Sequence, residues 1–244
     1  MRQVTATAAV QLAPNPGPMT LEGTNTWVLR APGHHACVVV DPGPLHEAHL
    51  TAVAAAGPVA AILLTHGHAD HSEGAARLAE LTGAGVRALD PAHRLGTEGL
   101  GEGDVVAAAG LELRVLATPG HTSDSLSFVL PDAVLTGDTV LGRGTTVVAH
   151  PDGVLGDYLA SLRRLGELGD LTVLPGHGPE LPSAGAAARV YLDHRHARLQ
   201  QVQDALAAGA TTPQQIVETV YADVDPALWP AATLSVLAQL AHLR

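Results

Sequence analysis

The segment His66-Gly67-His68-Ala69-Asp70-His71 places three imidazoles and one carboxylate within six residues. It directly follows an apolar run, 61–64, which predicts a buried strand, so these side chains leave the strand at its end, where active sites lie in α/β proteins. Imidazole and carboxylate are both good zinc ligands. The side chains of His66 and His68 can face one point, and those of Asp70 and His71 can face a second point. This predicts two neighbouring metal sites.

Four side chains cannot fill the coordination shells of two ions, so further ligands must come from elsewhere in the chain. Three more candidates each follow a glycine at the end of an apolar run: His121, Asp138 and His177. Glycine lets the backbone approach a crowded site closely. Unrelated turn residues are a poor explanation for this ordered series. We therefore expect a metal site built from His66, His68, Asp70, His71, His121, Asp138 and His177.

The elements that must position these residues alternate between short apolar strands and amphipathic helices over the first 180 residues. Strands are predicted at 26–29, 37–40, 61–64, 111–116, 126–130, 134–135 and 172–174. Helices are predicted at about 47–56, 72–81 and 157–168. From residue 183 the strand signals stop, and three helices follow: one ending near Gly209, one starting at Thr212-Pro213 and one over about 231–243. This pattern predicts a mixed α/β catalytic domain over 1–195 and a small helical domain over 196–244.

The sequence motifs around the candidate ligands resemble those of the metallo-β-lactamase superfamily. They are Leu-Thr-His-Gly-His-Ala-Asp-His at 64–71, Thr-Pro-Gly-His-Thr at 118–122, Leu-Thr-Gly-Asp-Thr at 135–139 and Leu-Pro-Gly-His-Gly at 174–178. The resemblance covers about residues 20–180. It implies an αββα sandwich, with two central sheets between helices and the metals at one edge.

The same resemblance implies a role for each ligand. His66, His68 and His121 would hold one metal, Asp70, His71 and His177 the other, and Asp138 would bridge both. Asp41, in Val-Val-Val-Asp-Pro-Gly, matches the family's first motif and would orient a ligand imidazole through its free N–H. An acid at position 138 resembles the glyoxalase II and ribonuclease Z branches rather than true β-lactamases, so antibiotic hydrolysis is disfavoured.

Two further segments resemble the β-lactamase-like protein 2 family: 15–26, Asn-Pro-Gly-Pro-Met-Thr-Leu-Glu-Gly-Thr-Asn-Thr, and Tyr191-x-x-His194-Arg195-x-x-Arg198. In that family the tail is a winged-helix-like domain, which matches the helical pattern of 196–244. Its members include an endoribonuclease acting on single strands and fungal thioesterases that release polyketides.

Two cations that share one water lower its pKa from about 15.7 toward 7, which makes hydroxide available as a nucleophile. We therefore expect a dinuclear hydrolase with two zinc ions, in which a metal-bridging hydroxide attacks a small thioester, lactone or ester. Asp70 is the candidate to shuttle the proton. Iron or manganese in place of zinc stays open, because the same ligands suit them. The alternatives are an endoribonuclease for single-stranded RNA and a metal-binding module without catalysis, and the complete ligand set opposes the latter.

Charge and composition indicate which class of molecule the protein binds. The net charge is −11, and the tail from Tyr191 carries three Arg against five acids, too few cations for a nucleic-acid track. A small-molecule substrate is favoured, and the tail is expected to wall the active site or to form a homodimer contact. No signal peptide or membrane span is found, so a cytoplasmic location is expected. Asn25, Thr26 and His150 are further candidates for lining the pocket.

Overall fold

The computed structural model describes all 244 residues and arranges eleven strands in two sheets. The first sheet contains β1 (Arg2–Gln3), β2 (Ala8–Leu12), β3 (Asn25–Leu29), β4 (Cys37–Val40), β5 (Val59–Leu63) and β6 (Val86–Arg87), paired in that order. The second contains β7 (Val105–Ala108), β8 (Leu111–Ala117), β9 (Leu126–Val129), β10 (Ala133–Gly137) and β11 (Thr172–Pro175), in the order β11-β10-β9-β8-β7.

Seven α-helices complete the structure. They are α1 (Glu47–Ala54), α2 (Ala69–Ser72), α3 (Ala75–Thr82), α4 (Leu155–Gly166), α5 (Ala184–Ala207), α6 (Pro213–Val220) and α7 (Trp229–His242). Short 3₁₀ turns lie at Pro91–His93 and Pro226–Leu228. None of the helices combines the length and apolar character needed to cross a membrane.

The two sheets pack face to face because side chains alternate across each strand. On β3, Trp27 and Leu29 point into a core shared with Phe128 of the second sheet, whereas Val28 points to the opposite face. That outer face is covered by α1 and α3, with Leu50 among the buried residues. Helices α4 and α5 cover the outer face of the second sheet. The expected αββα sandwich is thereby confirmed.

The C-terminal part has its own small core between the end of α5, α6 and α7, formed by residues such as Val202, Ile216 and Val236. Thr212 caps α6 as expected, and its hydroxyl and the Gln215 side chain form a reciprocal capping box. This part contains helices and no strand. Because α5 runs without a break through residue 195, no flexible linker separates the two parts, and the boundary at 195/196 stays a prediction.

The structure differs from the predicted elements mainly around the metal motif. Asp70 and His71 lie in the short helix α2, and the helix predicted from residue 72 begins only at Ala75. The break falls at Gly74, where a Cβ would lie 2.8 Å from the Leu50 side chain and 3.0 Å from the Gly43 carbonyl oxygen. The strands β1, β2, β6 and β7 were not predicted, because they are short or lack a clear apolar alternation.

Candidate metal centre

Four strand ends bring the predicted ligands together at one edge of the sandwich. The segment from His66 to His71 follows β5, His121 follows β8, Asp138 follows β10, and His177 follows β11. All seven side chains belong to three overlapping groups whose ligand atoms lie within 4.8 Å of one another. Residues distant in sequence therefore form one cluster, which we call the metal cluster: His66, His68, Asp70, His71, His121, Asp138 and His177.

The first part of the cluster consists of His66, His68 and His121. The His68 Nδ1 lies 3.0 Å from the His66 Nε2 and 3.1 Å from the His121 Nε2. A tetrahedral zinc ion with Zn–N bonds of 2.0–2.1 Å would hold such nitrogens about 3.3 Å apart. The three imidazoles are therefore spaced as ligands of one small cation.

The second part consists of Asp70, His71 and His177. The His177 Nε2 lies 3.2 Å from the His71 Nε2 and 3.1 Å from the Asp70 Oδ2. Asp138 lies between the two parts, with its Oδ1 3.4 Å from the His71 Nε2 and its Oδ2 3.8 Å from the His121 Nε2. Its Oδ1 is buried and accepts no hydrogen bond. A buried carboxylate oxygen without a donor suits a bridging position between two cations.

Asp41 orients the second part from behind. Its Oδ2 accepts from the His71 Nδ1 at 2.8 Å and from the Thr65 hydroxyl at 2.7 Å, and its Oδ1 accepts from the Thr65 backbone N–H at 2.8 Å. Asp41 is buried and adopts φ +51°, a left-handed conformation that asparagine and aspartate tolerate better than most residues. Asp41 therefore contacts the outer nitrogen of one imidazole of the cluster, and its role in orienting a metal ligand stays a prediction.

Thr65 is a supporting residue that the sequence reasoning missed. Because its hydroxyl proton goes to Asp41, its oxygen accepts from the His66 Nδ1 at 3.0 Å. Backbone carbonyl oxygens accept the Nδ1 protons of two other imidazoles. The His121 Nδ1 donates to the Val147 oxygen at 2.7 Å, and the His177 Nδ1 donates to the Gly23 oxygen at 3.1 Å. Each bond holds its ring with the Nε2 directed into the cluster, as ligation requires.

Burial and charge divide the histidines into two kinds. Burial, followed by the nearby His71, lowers the pKa of His66 well below its usual value, and burial also lowers the pKa of His121. Burial opposes protonation of His177 as well, but Asp138 and Asp70 outweigh it and raise the pKa of His177 to about 9. His177 therefore carries a proton in the metal-free protein, which a metal ion would displace.

Close backbone approach explains two of the glycines. A Cβ on Gly176 would lie 2.5 Å from the Asp138 Oδ1 and 2.7 Å from the His71 Cε1. Gly120 has φ +135°, and a Cβ there would collide with the backbone of Tyr158. Only glycine fits at both places, because any side chain would displace a ligand loop.

A cavity of about 270 Å³ opens beside the cluster and includes His121 and Asp138 in its lining. Its opposite wall comes from the C-terminal helices, including Leu228, Ala231 and Ser235. His68 and Asp70 are the ligands most open to solvent, whereas the other five are buried. The tail therefore walls the space next to the cluster, one of the two roles expected for it.

The three candidate pocket residues lie elsewhere. The Asn25 amide donates to the backbone carbonyls of Pro175 and Gly178 at 3.0 and 2.8 Å, so it ties β3 to the loop that carries His177. The Thr26 hydroxyl lies 2.9 Å from the His49 Nε2 in the buried interior. His150 borders a separate cleft near the end of α7. None of the three lines the cavity beside the cluster.

Comparison with known proteins shows the family of this chain. The family model described as metallo-beta-lactamase superfamily matches residues 19–177, and the beta-lactamase associated winged helix domain matches residues 212–244. This chain belongs to the metallo-beta-lactamase superfamily. Members of the superfamily named as thioesterases are among its relatives, so the chain is assigned as a metal-dependent hydrolase.

Two relatives and one solved structure illustrate the similarity within the superfamily. An atrochrysone carboxyl ACP thioesterase of Aspergillus fumigatus is 32% identical over 86% of this chain and 72% of its own length. A beta-lactamase-like protein 2 homolog of Caenorhabditis elegans is 32% identical over 87% of this chain and 75% of its own. The fold matches a metallo-beta-lactamase family protein of Thermus thermophilus with TM-score 0.81 and 23% identity, covering 97% and 93% of the two chains.

Proposed function

We propose that this protein is a dinuclear zinc hydrolase that cleaves small acyl thioesters, with lactones and simple esters as chemically related substrates. The observation that carries the proposal is the small cavity between the metal cluster and the C-terminal helices. It combines apolar side chains such as Leu228 and Ala231 with direct access to His121 and Asp138. An acyl group can lie against the apolar wall while its carbonyl carbon reaches the cluster.

The donor set of the cluster suits two divalent cations. We assign one ion to His66, His68 and His121, the other to Asp70, His71 and His177, and a bridging position to Asp138, whose free buried Oδ1 supports that role. When bound, such ions supply an activated water and polarise the scissile carbonyl. Zinc is the proposed metal because neutral imidazole and carboxylate are its common ligands, and iron and manganese are the alternatives.

Asp41 and Thr65 accept the Nδ1 protons of two cluster histidines, so these protons lie on the side of each ring that faces away from the cluster. The His71 Nδ1 proton is held by Asp41 and the His66 Nδ1 proton by Thr65, so both Nε2 atoms would be available to hold the ions. Hydrolysis adds water across the C–S bond, so one proton must travel from the water to the leaving sulfur. Asp70, the more exposed of the two cluster carboxylates, is the proposed carrier of that proton.

Carbonyl chemistry is favoured over RNA cleavage by charge. The tail that borders the cavity carries three Arg against five acids, and the whole chain has a net charge of −11. A protein that follows a phosphate backbone needs clustered Lys and Arg, which neutralise phosphates and release counterions. Two fungal relatives are named as thioesterases, which supports the same choice.

The test is hydrolysis by metal-stripped protein reconstituted with zinc, iron or manganese, using acyl thioesters, lactones, bis-p-nitrophenyl phosphate and single-stranded RNA. Metal per chain is measured by mass spectrometry. We expect thioester turnover with two ions per chain, and its loss together with part of the metal in Asp138→Ala. Asp204→Ala, at an exposed acid on α5, is the matched control. Cleavage of RNA alone, or thioester turnover that survives in Asp138→Ala, would contradict the proposal.

A further inference from the structure

Arg195 on α5 is a buried cation without a counter-ion. Only 3% of its surface is exposed, and no carboxylate oxygen lies within 4.0 Å of its guanidinium. Its contacts are a hydrogen bond to the Thr146 carbonyl oxygen and the face of the Tyr158 ring, 5.0 Å away. The Nε–H of Arg195 has no acceptor. Burying an unpaired charge is costly, so such a group calls for an anion.

The tyrosines next to Arg195 do not supply that negative charge. Burial raises the pKa of Tyr158 above its usual value, and burial raises the pKa of Tyr191 to about 12. Both are neutral at physiological pH, and both hydroxyls are engaged with backbone atoms of Thr139 and Leu141. The charge on Arg195 is therefore uncompensated within the protein.

Arg195 lines the same cavity as His121 and Asp138. The other two arginines of the lining have acidic partners: Arg143 pairs with Glu22, and Arg198 lies 3.9 Å from Asp223. The only acid in the lining is Asp138, which belongs to the metal cluster. The lining therefore combines one guanidinium that has no acidic partner with two members of the metal cluster.

His194 adds a second polar group to the same wall. Its Nδ1 is buried without a partner, and burial, followed by Arg195 and Arg198, lowers the pKa of His194 to about 4. The imidazole is therefore neutral at physiological pH and can donate from Nδ1. The His194 Nδ1 and the Arg195 Nε–H both lack a partner, and a carboxylate is the group that such donors bind best next to a positive charge.

We propose that Arg195, assisted by His194, binds a carboxylate carried by the acyl group, so that the preferred substrates are thioesters of dicarboxylic acids. This inference rests on the proposed hydrolase function and names its substrate class. A carboxylate suits the site better than a phosphodiester, because a cavity of about 270 Å³ lies at the small end of ligand pockets. The apolar wall from Leu228 and Ala231 would contact the methylene chain between the two carbonyl groups.

The decisive experiment compares a glutaryl thioester with its size-matched glutaramide thioester, in which an amide replaces the free carboxylate. We expect the zinc-reconstituted protein to prefer the glutaryl thioester in kcat/KM by about 10- to 100-fold, the value of one charge-assisted contact. Arg195→Met should abolish this preference, and Arg195→Lys should restore part of it. A preference that is absent in the natural sequence, or that persists in Arg195→Met, would overturn the proposal.

Arg195 also holds the Thr146 carbonyl, so a control must separate loop damage from lost recognition. Tyr191→Phe removes the hydroxyl that bonds to Leu141 in the same loop and leaves Arg195 in place. It should lower the rates for both thioesters equally and keep their ratio. A ratio that falls as far in Tyr191→Phe as in Arg195→Met would assign the effect to the loop and refute the recognition role.

Equilibrium binding of glutarate and of inorganic phosphate, measured by calorimetry, tests the subsite without turnover. Glutarate binding that is lost in Arg195→Met supports the inference even if every thioester proves inert, in which case only the proposed reaction fails. Absence of glutarate binding to the natural sequence, or tighter binding of phosphate than of glutarate, would overturn it.

Discussion

The metal cluster and Arg195 lie on the same cavity, but their surroundings differ. In the cluster, the outer nitrogens of four imidazoles bond to Asp41, Thr65 or backbone carbonyls. At Arg195, the Nε–H of a buried guanidinium has no acceptor, and no carboxylate oxygen lies within 4.0 Å of the guanidinium. The first region is fixed in advance by its own protein contacts, as reactive groups require. In the second region the Arg195 guanidinium lacks a counter-ion, which suits a site where a substrate supplies the negative charge.

The largest effect is expected at Gly176, where the backbone lies in close contact with two side chains of the metal cluster. In Gly176→Ala the new methyl would lie 2.5 Å from the Asp138 Oδ1 and 2.7 Å from the His71 Cε1, so both ligands must move. We expect activity to fall by about 100-fold or more, because small displacements of a catalytic geometry cost that much. Steady-state kinetics and metal content would check this.

The matched control is Gly156→Ala, at a helical glycine whose Cβ would have no neighbour closer than 3.6 Å. It should retain full activity. Equal losses of activity in the two variants would mean that the close contact at Gly176 has no special role. The metal cluster would then not be the tightly fixed region that distinguishes it from the surroundings of Arg195.

A smaller effect is expected from the support behind His71. Asp41→Asn keeps the shape but replaces the acceptor of the His71 Nδ1 proton and of the Thr65 hydroxyl. Loss of such a supporting partner lowers metal affinity by about 10- to 100-fold. Competition with a chromogenic chelator measures this affinity, and unchanged affinity would show that Asp41 serves the fold alone.

Filling the cavity wall should affect substrate binding and spare the metals. Ala231→Trp places an indole on the face of α7 that borders the cavity, while Ala227→Trp at an exposed turn is the control. We expect KM for the thioester to rise about 10-fold in the first variant only, the scale of a mismatched pocket. If the metal content of Ala231→Trp falls as well, the two regions are not independent.

The smallest expected effect is on pH dependence. The pKa of His177 in the metal-free protein is raised from 6.5 to about 9, so its stabilising contribution is complete below pH 6.5 and is lost as the pH rises through 9. Urea midpoints of the chelator-treated protein should fall over this interval. His177→Gln should flatten the curve, and a flat curve in the natural sequence would show that His177 is neutral in the metal-free protein.

The position of the cluster along the chain could be predicted from sequence because its signals are local. A short apolar run predicts a strand, a glycine marks its end, and a histidine or aspartate follows, as at His121, Asp138 and His177. Those rules also predicted α6 with its cap at Thr212. They did not predict the helix break at Gly74, where the backbone N–H donates to the Gly43 carbonyl oxygen at 2.9 Å, because this contact joins residues far apart in the chain.

What only the tertiary structure decided is how residues far apart in sequence share one space. The sequence marked His150 as a pocket candidate, but its backbone directs it to another cleft, whereas Arg195, mentioned only within a motif, lines the cavity. The sequence alone determined which side chains can bind metal, since ligand chemistry is a property of the residue type. Burial and the absence of a counter-ion depend on everything packed around a side chain, and they exist only once the whole chain has folded.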